Sequence, residues 1–321
     1  MSVRVLVTGA GGDSAQGVIR ALRKSAGDYI IASVCINEHS PGLFMSDIHE
    51  LAPAITLEKK YVEFLVDFIK RHVIDVFIPT IDGEIFLISR YRYEIEQRCN
   101  VKIIIGSESS VGICVDKLEA SKYLSSIGVN QPLTMTADDK DQVLGMISEG
   151  KKIIMKPRFG GGSTGIRILN SESLKNDTWL STNNIYQHFD EYRKEFTAVV
   201  MKDDSVITAI AVLERILAGG RTVWCKRVAE LEYEEMLSSI ASGLNIPYIN
   251  IQFGLVDNDF HVFDLNPRFS GSTGVFSEIF NGPHLLVNRF LHNEMPPFEC
   301  SDEYFESVRY LDDLIYNRYE N

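Results

Sequence analysis

Near the N-terminus, short apolar runs alternate with amphipathic stretches. Residues 3–7 (VRVLV) are a strand-like run, followed by the Gly-rich TGAGGDSAQG and then VIRALRKSA, so the order is strand, turn, helix. A second strand is expected over 29–36 (YIIASVCI). A helix is expected over 61–72, where apolar residues fall at 62, 65, 66 and 69. Another strand follows over 73–79, a helix over 85–98 and a strand over 101–105. Alternating strands and helices of this kind predict a parallel sheet covered on both faces.

The pattern changes after residue 105. GSESS over 106–110 reads as a linker by composition. Asp116 is placed to cap a helix over 117–127. Lys117 then sits at a helix N-terminus, where the dipole disfavours a cation, unless it reaches an anion. Residues 153–157 (IIMKP) form a strand ending in Lys156, and 166–169 resume an apolar strand. The loop between them, RFGGGSTG, joins two strands with no Gly-Lys-Ser/Thr and no following helix, so it is not a Walker A loop. Its backbone amides can still cup phosphate oxygens, with Lys156 as point charge and Ser163 as hydroxyl. The bland alternative is a flexible hairpin. A short strand over 184–190, a break, and Glu195 opening the next strand suit a hinge beside an adenine ring.

Residues 250–268 (NIQFGLVDNDFHVFDLNPR) alternate as a β-hairpin. Ile249, Ile251, Phe253 and Leu255 interleave with Asn250, Gln252 and Gly254. A three-residue loop, 257–259, centred on Asn258, sets Gln252 directly across from Asp264, with Cβ atoms roughly 5 Å apart. Asn266 shares the Asp264 face, and Arg268 lies just beyond. Amide and carboxylate oxygens are hard ligands suited to Mg²⁺. A two-residue loop would turn Gln252 away. Between hinge and hairpin, Glu214-Arg215 and Lys226-Arg227 read on their own as a charged surface ribbon. Gly271–Gly274 form an anion-friendly turn into a helix over 275–280. The tail from 295 reads as a covering strand and helix without a ligand role.

Composition narrows the class. The 321 residues are 45% hydrophobic and 24% charged, which describes a globular chain of two or three domains. A net charge of −12 argues against a nucleic-acid partner. Five cysteines without C-x-x-C spacing suggest reduced thiols and a cytoplasmic location. No apolar run reaches membrane-span length, and no signal peptide is apparent, so no membrane partner is expected.

Together these pieces resemble the ATP-grasp superfamily, and most closely stand-alone relatives of the carbamoyl phosphate synthetase large subunit. The resemblance implies an α/β fold with an N-terminal parallel-sheet pre-ATP-grasp domain (1–110), a linker helix and small lid with a Gly-rich flap (111–190), and an antiparallel core sheet (191–321). It assigns Lys117, Lys156, Gly161, Gly162, Ser163, Gln187, Phe189 and Glu195 to the nucleotide. Gln252, Asp264 and Asn266 fall to the metal, and Arg268, Lys156 and Arg215 to catalysis, Arg215 facing the substrate or triphosphate with Arg227 in reserve. Gln187 stands where many members carry Glu, and Asp264 where many carry Glu. The implied cofactors are ATP and Mg²⁺, with Mn²⁺ as the alternative ion. The implied activity is an ATP-dependent ligase joining a small carboxylate to an amine or thiol through an acyl phosphate. A homodimer is one expected form.

Two other readings stand beside this one. A degenerate ATP-grasp module would bind nucleotide without turnover. A nicotinamide oxidoreductase would use Gly9, Gly11 and Glu38, although Ser14 replaces the third glycine. Asp82 and Glu84 follow the third strand at the carboxyl edge of the sheet and are further site candidates, against a helix-capping role.

Overall fold

The structure, a computed structural model, describes residues 2–161, 164–170, 172, 180–189 and 191–315. The first unit contains β1 (Val3–Thr8), α1 (Asp13–Lys24), β2 (Tyr29–Cys35), α2 (Pro41–Phe44), β3 (Ile48–Leu51), α3 (Glu58–His72), β4 (Val76–Ile78), α4 (Asp82–Cys99) and β5 (Lys102–Ile103). Its strands form a parallel sheet of order β3-β2-β1-β4-β5. The order reverses between β1 and β4, which opens a crevice at their carboxyl ends. α1 shows why the local sequence folds as it does. Ala15, Val18, Ile19 and Leu22 bury one face, while Asp13 in the first turn and Arg23 and Lys24 in the last complement the dipole.

α5 (Glu108–Val115) and α6 (Lys117–Ser126) follow. The expected linker at 106–110 is therefore corrected. Ser107 caps α5 by accepting from the Ser110 amide, and Glu108 occupies the favourable first turn. Ser-rich composition marked a cap rather than a coil. Asp116 caps α6 through the Leu118 amide.

The second sheet is antiparallel, of order β6-β9-β7-β8, from β6 (Thr134–Met135), β7 (Ile153–Pro157), β8 (Arg167–Leu169) and β9 (Asn184–His188), with α7 (Lys140–Ser148) packed on it. The third is a six-stranded antiparallel sheet, order β14-β13-β10-β11-β12-β15. It comprises β10 (Lys194–Asp203), β11 (Val206–Ala218), β12 (Arg221–Val228), β13 (Tyr248–Val256), β14 (Asp259–Asn266) and β15 (Glu306–Val308). α8 (Glu234–Ser242), with α5 and α6, covers one face of the large sheet. α9 (Thr273–Phe276) and α10 (Gly282–His292) pack between its other face and the parallel sheet, so Val199, Ala211 and Leu286 share one core with Val5, Val18 and Ile78. The expected helix over 275–280 is thus a shorter one starting at Thr273. The tail supplies the expected strand, β15, but no helix over described residues 293–315. No helix among the described residues is long and apolar enough to cross a membrane.

Candidate active site

The large sheet builds the floor. Its face beneath the second sheet carries polar residues in register across four strands. Glu195 pairs with Arg215, Thr197 with Gln252, Gln252 with Asp264, and Asn250 with Asn266. The opposite face carries Ile249, Ile251, Phe253 and Leu265 into an apolar cluster. Strand alternation alone separates the two.

The turn between β13 and β14 has two residues, Asp257 and Asn258, not three. That loop alone would misalign the site. A bulge corrects it, because Phe253 pairs with Val262 while Gln252 pairs with Asp264, leaving Phe263 as the extra residue. Phe263 and Asp264 both face the cavity, whereas Val262 and Leu265 face the core. The bulge thus restores the Gln252–Asp264 pair and adds an aromatic wall. Phe263 stacks with Tyr192, and the Lys156 Nζ lies 5.7 Å from its ring centre.

The second sheet, the large sheet and the start of α1 line a cavity of about 1160 Å³. It is lined by Lys117, Lys156, Gly161, Gln187, Phe189, Glu195, Arg215, Gln252, Asp264, Asn266 and Arg268. Gly162 and Ser163 lie outside the described residues. Arg227 is not in the lining. It is buried against the tail, where it bonds to Glu230 and to the Ser301 and Glu303 carbonyls.

Ion pairs organise the walls. Arg215 donates to Glu195 (2.5 and 3.0 Å) and to Gln252 Oε1 (2.8 Å). Arg268 reaches across to the parallel sheet and binds Asp82 through two hydrogen bonds, 2.5 and 2.9 Å, and donates to Ser14 Oγ at 3.2 Å. Burial disfavours both charges of that pair. Their mutual attraction prevails, holding Asp82 below and Arg268 above their ordinary pKa values. Asp82 therefore belongs to the site through Arg268. Glu84 does not. It is fully buried, accepts from Thr8 (2.6 Å) and from the Tyr61 hydroxyl, and burial raises its pKa to about 7.

The second sheet and its loops contribute cations and polar groups. Arg158 clasps Asp116 through two hydrogen bonds (2.6 and 2.7 Å), and Lys117 Nζ donates to the Gly160 carbonyl, so the loop after β7 is tied to α6. Gly161 lies against Asp82 and Arg268, and a Cβ there would collide with the Asp82 carboxylate. The Lys156 ammonium makes no hydrogen bond or ion pair with any described residue. Burial pushes its amine down to about 8, reinforced by Lys117 and opposed by Asp264 and Glu195. At the end of β9 the amides of His188 and Phe189 donate to the Leu133 and Lys152 carbonyls. Gln187 Nε2 donates to Thr134 Oγ1 at 2.8 Å, and its Oε1 is the one buried side-chain polar atom without a partner among the described residues.

Gln252, Asp264 and Asn266, the residues expected to hold a metal, offer one carboxylate and two amides. Asn266 donates to Asp264 (3.0 Å) and accepts from Arg268 (3.3 Å), while Gln252 Oε1 is engaged by Arg215. No cluster of three or more His, Cys, Asp or Glu side chains able to hold a metal occurs among the described residues. One hard carboxylate fits a Mg²⁺ that arrives bound to phosphate oxygens, and does not fit an ion caged by protein alone.

Sequence reasoning missed several lining groups: Asp13, Ser14, Tyr192, Arg221, Phe263 and Arg309. Phe263 had a local signal, since the apolar spacing lengthens from two, at Phe260 and Val262, to three at Leu265. Arg309 had none. Glu38 is not among the lining residues, so the glycine turn at Gly9 (φ +68°) serves the fold, packing against Thr80 and Ile81.

Residues 114–272 match the family model of the ATP-grasp domain. The chain is 25% identical over 271 residues to the N-terminal section of the carbamoyl phosphate synthase large chain of Aquifex aeolicus, covering 76% of this chain and 48% of that one. It is 24% identical over 288 residues to the carbamoyl phosphate synthase large chain of Thermoplasma volcanium, covering 83% and 27%. The chain therefore spans about half, or less, of the length of these relatives. Among solved structures, N5-carboxyaminoimidazole synthetase from Staphylococcus aureus complexed with ADP superposes with a TM-score of 0.71 at 15% identity, covering 92% of this chain and 79% of that one. The biotin carboxylase domain dimer of Hydrogenobacter thermophilus 2-oxoglutarate carboxylase, in complex with MgADP, ADP and bicarbonate, gives 0.72 at 15% identity, covering 96% and 74%.

Proposed function

Because the chain carries an ATP-grasp domain and has the ATP-grasp fold, we propose that it is an ATP- and Mg²⁺-dependent ligase joining a small carboxylic acid to an amine. The observation that carries this reading is Lys156, a partly buried ammonium at the end of β7 with no ion pair among the described residues, with Asp264 and Arg268 on the facing floor. An ammonium held that way costs stability unless an anion completes it. A triphosphate is the anion that Lys156, the loop amides and Arg268 would share.

In this reading Gln187 Oε1 accepts from the exocyclic amine of adenine, and Glu195 faces the ribose hydroxyls. Asp264, with Asn266 beside it, would hold Mg²⁺ together with phosphate oxygens. When bound, the ion supplies charge neutralisation at the phosphates. A substrate carboxylate oxygen attacks the γ-phosphorus, and the bond to the β–γ bridging oxygen breaks to release ADP. Lys156 and Arg268 stabilise charge on the transferred group, and Asp82 fixes the Arg268 fork. The amine nitrogen then attacks the acyl carbon, loses a proton and expels phosphate. The loop over Gly161 excludes water that would hydrolyse the acyl phosphate. The division into units 1–110, 111–190 and 191–321 is part of the same proposal.

ADP release across a panel of carboxylates and amines tests it, with Lys156→Ala as the control. Absence of ATP·Mg²⁺ binding in calorimetry would end it. A second reading, a nucleotide-binding module without turnover, is favoured by one observation, the single carboxylate in the metal set. Tight binding with no ADP formed from any pair would select that reading.

A further inference from the structure

The cavity has an end that nucleotide chemistry does not explain. Asp13, at the start of α1, meets the loop after Arg268 there, and a Cβ on Gly271 would lie 3.2 Å from the Asp13 Cβ. Arg309, from the tail just beyond β15, enters this end. It donates to the Asp13 carboxylate and, at 3.1 Å, to the Gly271 carbonyl. Arg221, beside the Gly219-Gly220 turn, lies 3.5 Å from the same carboxylate. Arg20, one helical stretch behind, has no hydrogen bond or ion pair among the described residues. Burial, then repulsion from Arg309, lowers its pKa. One carboxylate thus faces three guanidiniums.

The imbalance extends to the whole lining. Seven Lys and Arg side chains face five carboxylates, four in the lining and Asp82 behind Arg268, in a chain whose net charge is −12. Of the seven, Lys152 pairs with Glu191, Arg215 with Glu195 and Arg268 with Asp82. Lys117 and Lys156 stand by the loop assigned above to phosphate. Arg221 and Arg309 remain, sharing Asp13, beside Ser14 and therefore beside Arg268. A positive field that a protein keeps uncompensated in a cavity is a field for an anionic ligand.

Building on the ligase reading, we propose that the acid substrate carries a second anionic group, a carboxylate or phosphate, which Arg309 and Arg221 bind at the Asp13 end while the reacting carboxylate lies by Arg268. Guanidinium forks suit both groups. Asp13 holds the forks oriented while the subsite is empty. The tail is then a specificity element, in contrast to the purely covering role its sequence suggests. A tail clasp of Arg309 on Asp13, with no ligand, is the competing account.

Calorimetry on the full chain loaded with Mg²⁺ and a non-hydrolysable ATP analogue separates the two. The probes are succinate, glutarate and phosphoglycolate against the isosteric monoacids butyrate and valerate. At least one diacid should bind about 10- to 100-fold more tightly than the monoacids. Arg309→Ala and Arg221→Ala should each remove most of that ratio without changing affinity for the analogue, and Arg309→Lys should retain part of it. Succinate against phosphoglycolate distinguishes carboxylate from phosphate. Equal affinity for mono- and dianions, or an unchanged ratio in both alanine variants, overturns the proposal. A lower melting temperature with an unchanged ratio assigns Arg309 to the clasp. Failure to bind the analogue at all would instead sink the ligase reading.

Discussion

Two ionisable groups whose pKa values burial moves, Glu84 in the core and Lys156 at the cavity, are treated in opposite ways. Glu84, under the parallel sheet, receives hydrogen bonds from Thr8 and Tyr61, and backbone hydrogen bonds from Thr80 and Ile81 also favour its charged form. The Lys156 ammonium, over the large sheet, has no hydrogen bond or ion pair with the described residues, only the face of Phe263 and the more distant charges of Asp264, Lys117 and Glu195. Both pKa values are moved by burial, to about 7 and about 8. The difference is saturation. A buried group whose hydrogen bonds are filled internally serves the fold. One left open towards a cavity is the better candidate for a ligand. By that criterion Asp264 and Gln187 Oε1 belong with Lys156, whereas Arg215 and Arg268 are intermediate, already paired yet lining the cavity.

Breaking the open side should have the largest effect. Lys156→Ala is expected to lower ADP release by about 10²- to 10³-fold, the range for loss of one charge-stabilising group. The same variant should be more stable than the parent when nucleotide-free, by about 1–3 kcal/mol, because an unpaired ammonium is no longer buried. Loss of activity together with loss of stability would move Lys156 to the structural side of the comparison. Asp264→Asn comes next. As the single carboxylate of the metal set it should cost about 10²-fold in activity and shift the Mg²⁺ requirement to higher concentration, read by magnesium titration. Gln252→Ala should cost less than Asp264→Asn, since Arg215 already occupies the Gln252 oxygen.

The two sides also differed in how far the sequence revealed them. The floor was legible, because period-2 patterning fixes which residues of a hairpin share a face, whatever lies above. The turn length was misjudged and the bulge at Phe263 compensated, so Gln252 and Asp264 were paired by a different route from the one expected. The Lys-Pro-Gly-rich run marked the connection between β7 and β8 because strand, lysine and glycines are contiguous. The saturation of Glu84 was not legible. Its partners lie 23 and 76 residues away, and only the assembled sheet brings them together. Arg309 is separated from Asp13 by 296 residues and enters through an edge strand of three residues. Such contacts leave no periodicity to detect.

On the saturated side the expected effect is a pH profile. The folded pKa of Glu84 is raised above its ordinary value of 4.5, so its contribution is fully present below about pH 4.5 and is lost as pH rises through about 7. Denaturant unfolding of the parent should lose about 3 kcal/mol from this group between pH 4.5 and 7. Glu84→Gln should lack that fall and bind ATP·Mg²⁺ as the parent does, since Glu84 is not among the residues lining the cavity. A parallel fall in both proteins, or weakened nucleotide binding in the variant, would place Glu84 with the open groups.

The finest discrimination comes from titrating Lys156 itself. Its pKa near 8 belongs to the empty site, and the ordinary value for lysine is 10.5. Below about pH 8 the ammonium is charged in both folded and unfolded chains, and its burial cost is fully present. Between about 8 and 10.5 the folded chain releases the proton first, so nucleotide-free stability recovers relative to Lys156→Met. Nucleotide affinity runs the other way. A bound triphosphate favours the charged amine and raises its pKa, so binding must take up a proton above pH 8. The dissociation constant for the ATP analogue should therefore be flat below about pH 8 and rise towards tenfold per pH unit above it. Lys156→Arg, whose guanidinium stays charged throughout, should flatten that rise even if it binds more weakly at neutral pH. Calorimetry in buffers of different ionisation enthalpy measures the proton uptake directly. Uptake near zero at pH 9 in the parent would mean that no phosphate reaches Lys156, and the contrast with Glu84 would lose its functional meaning.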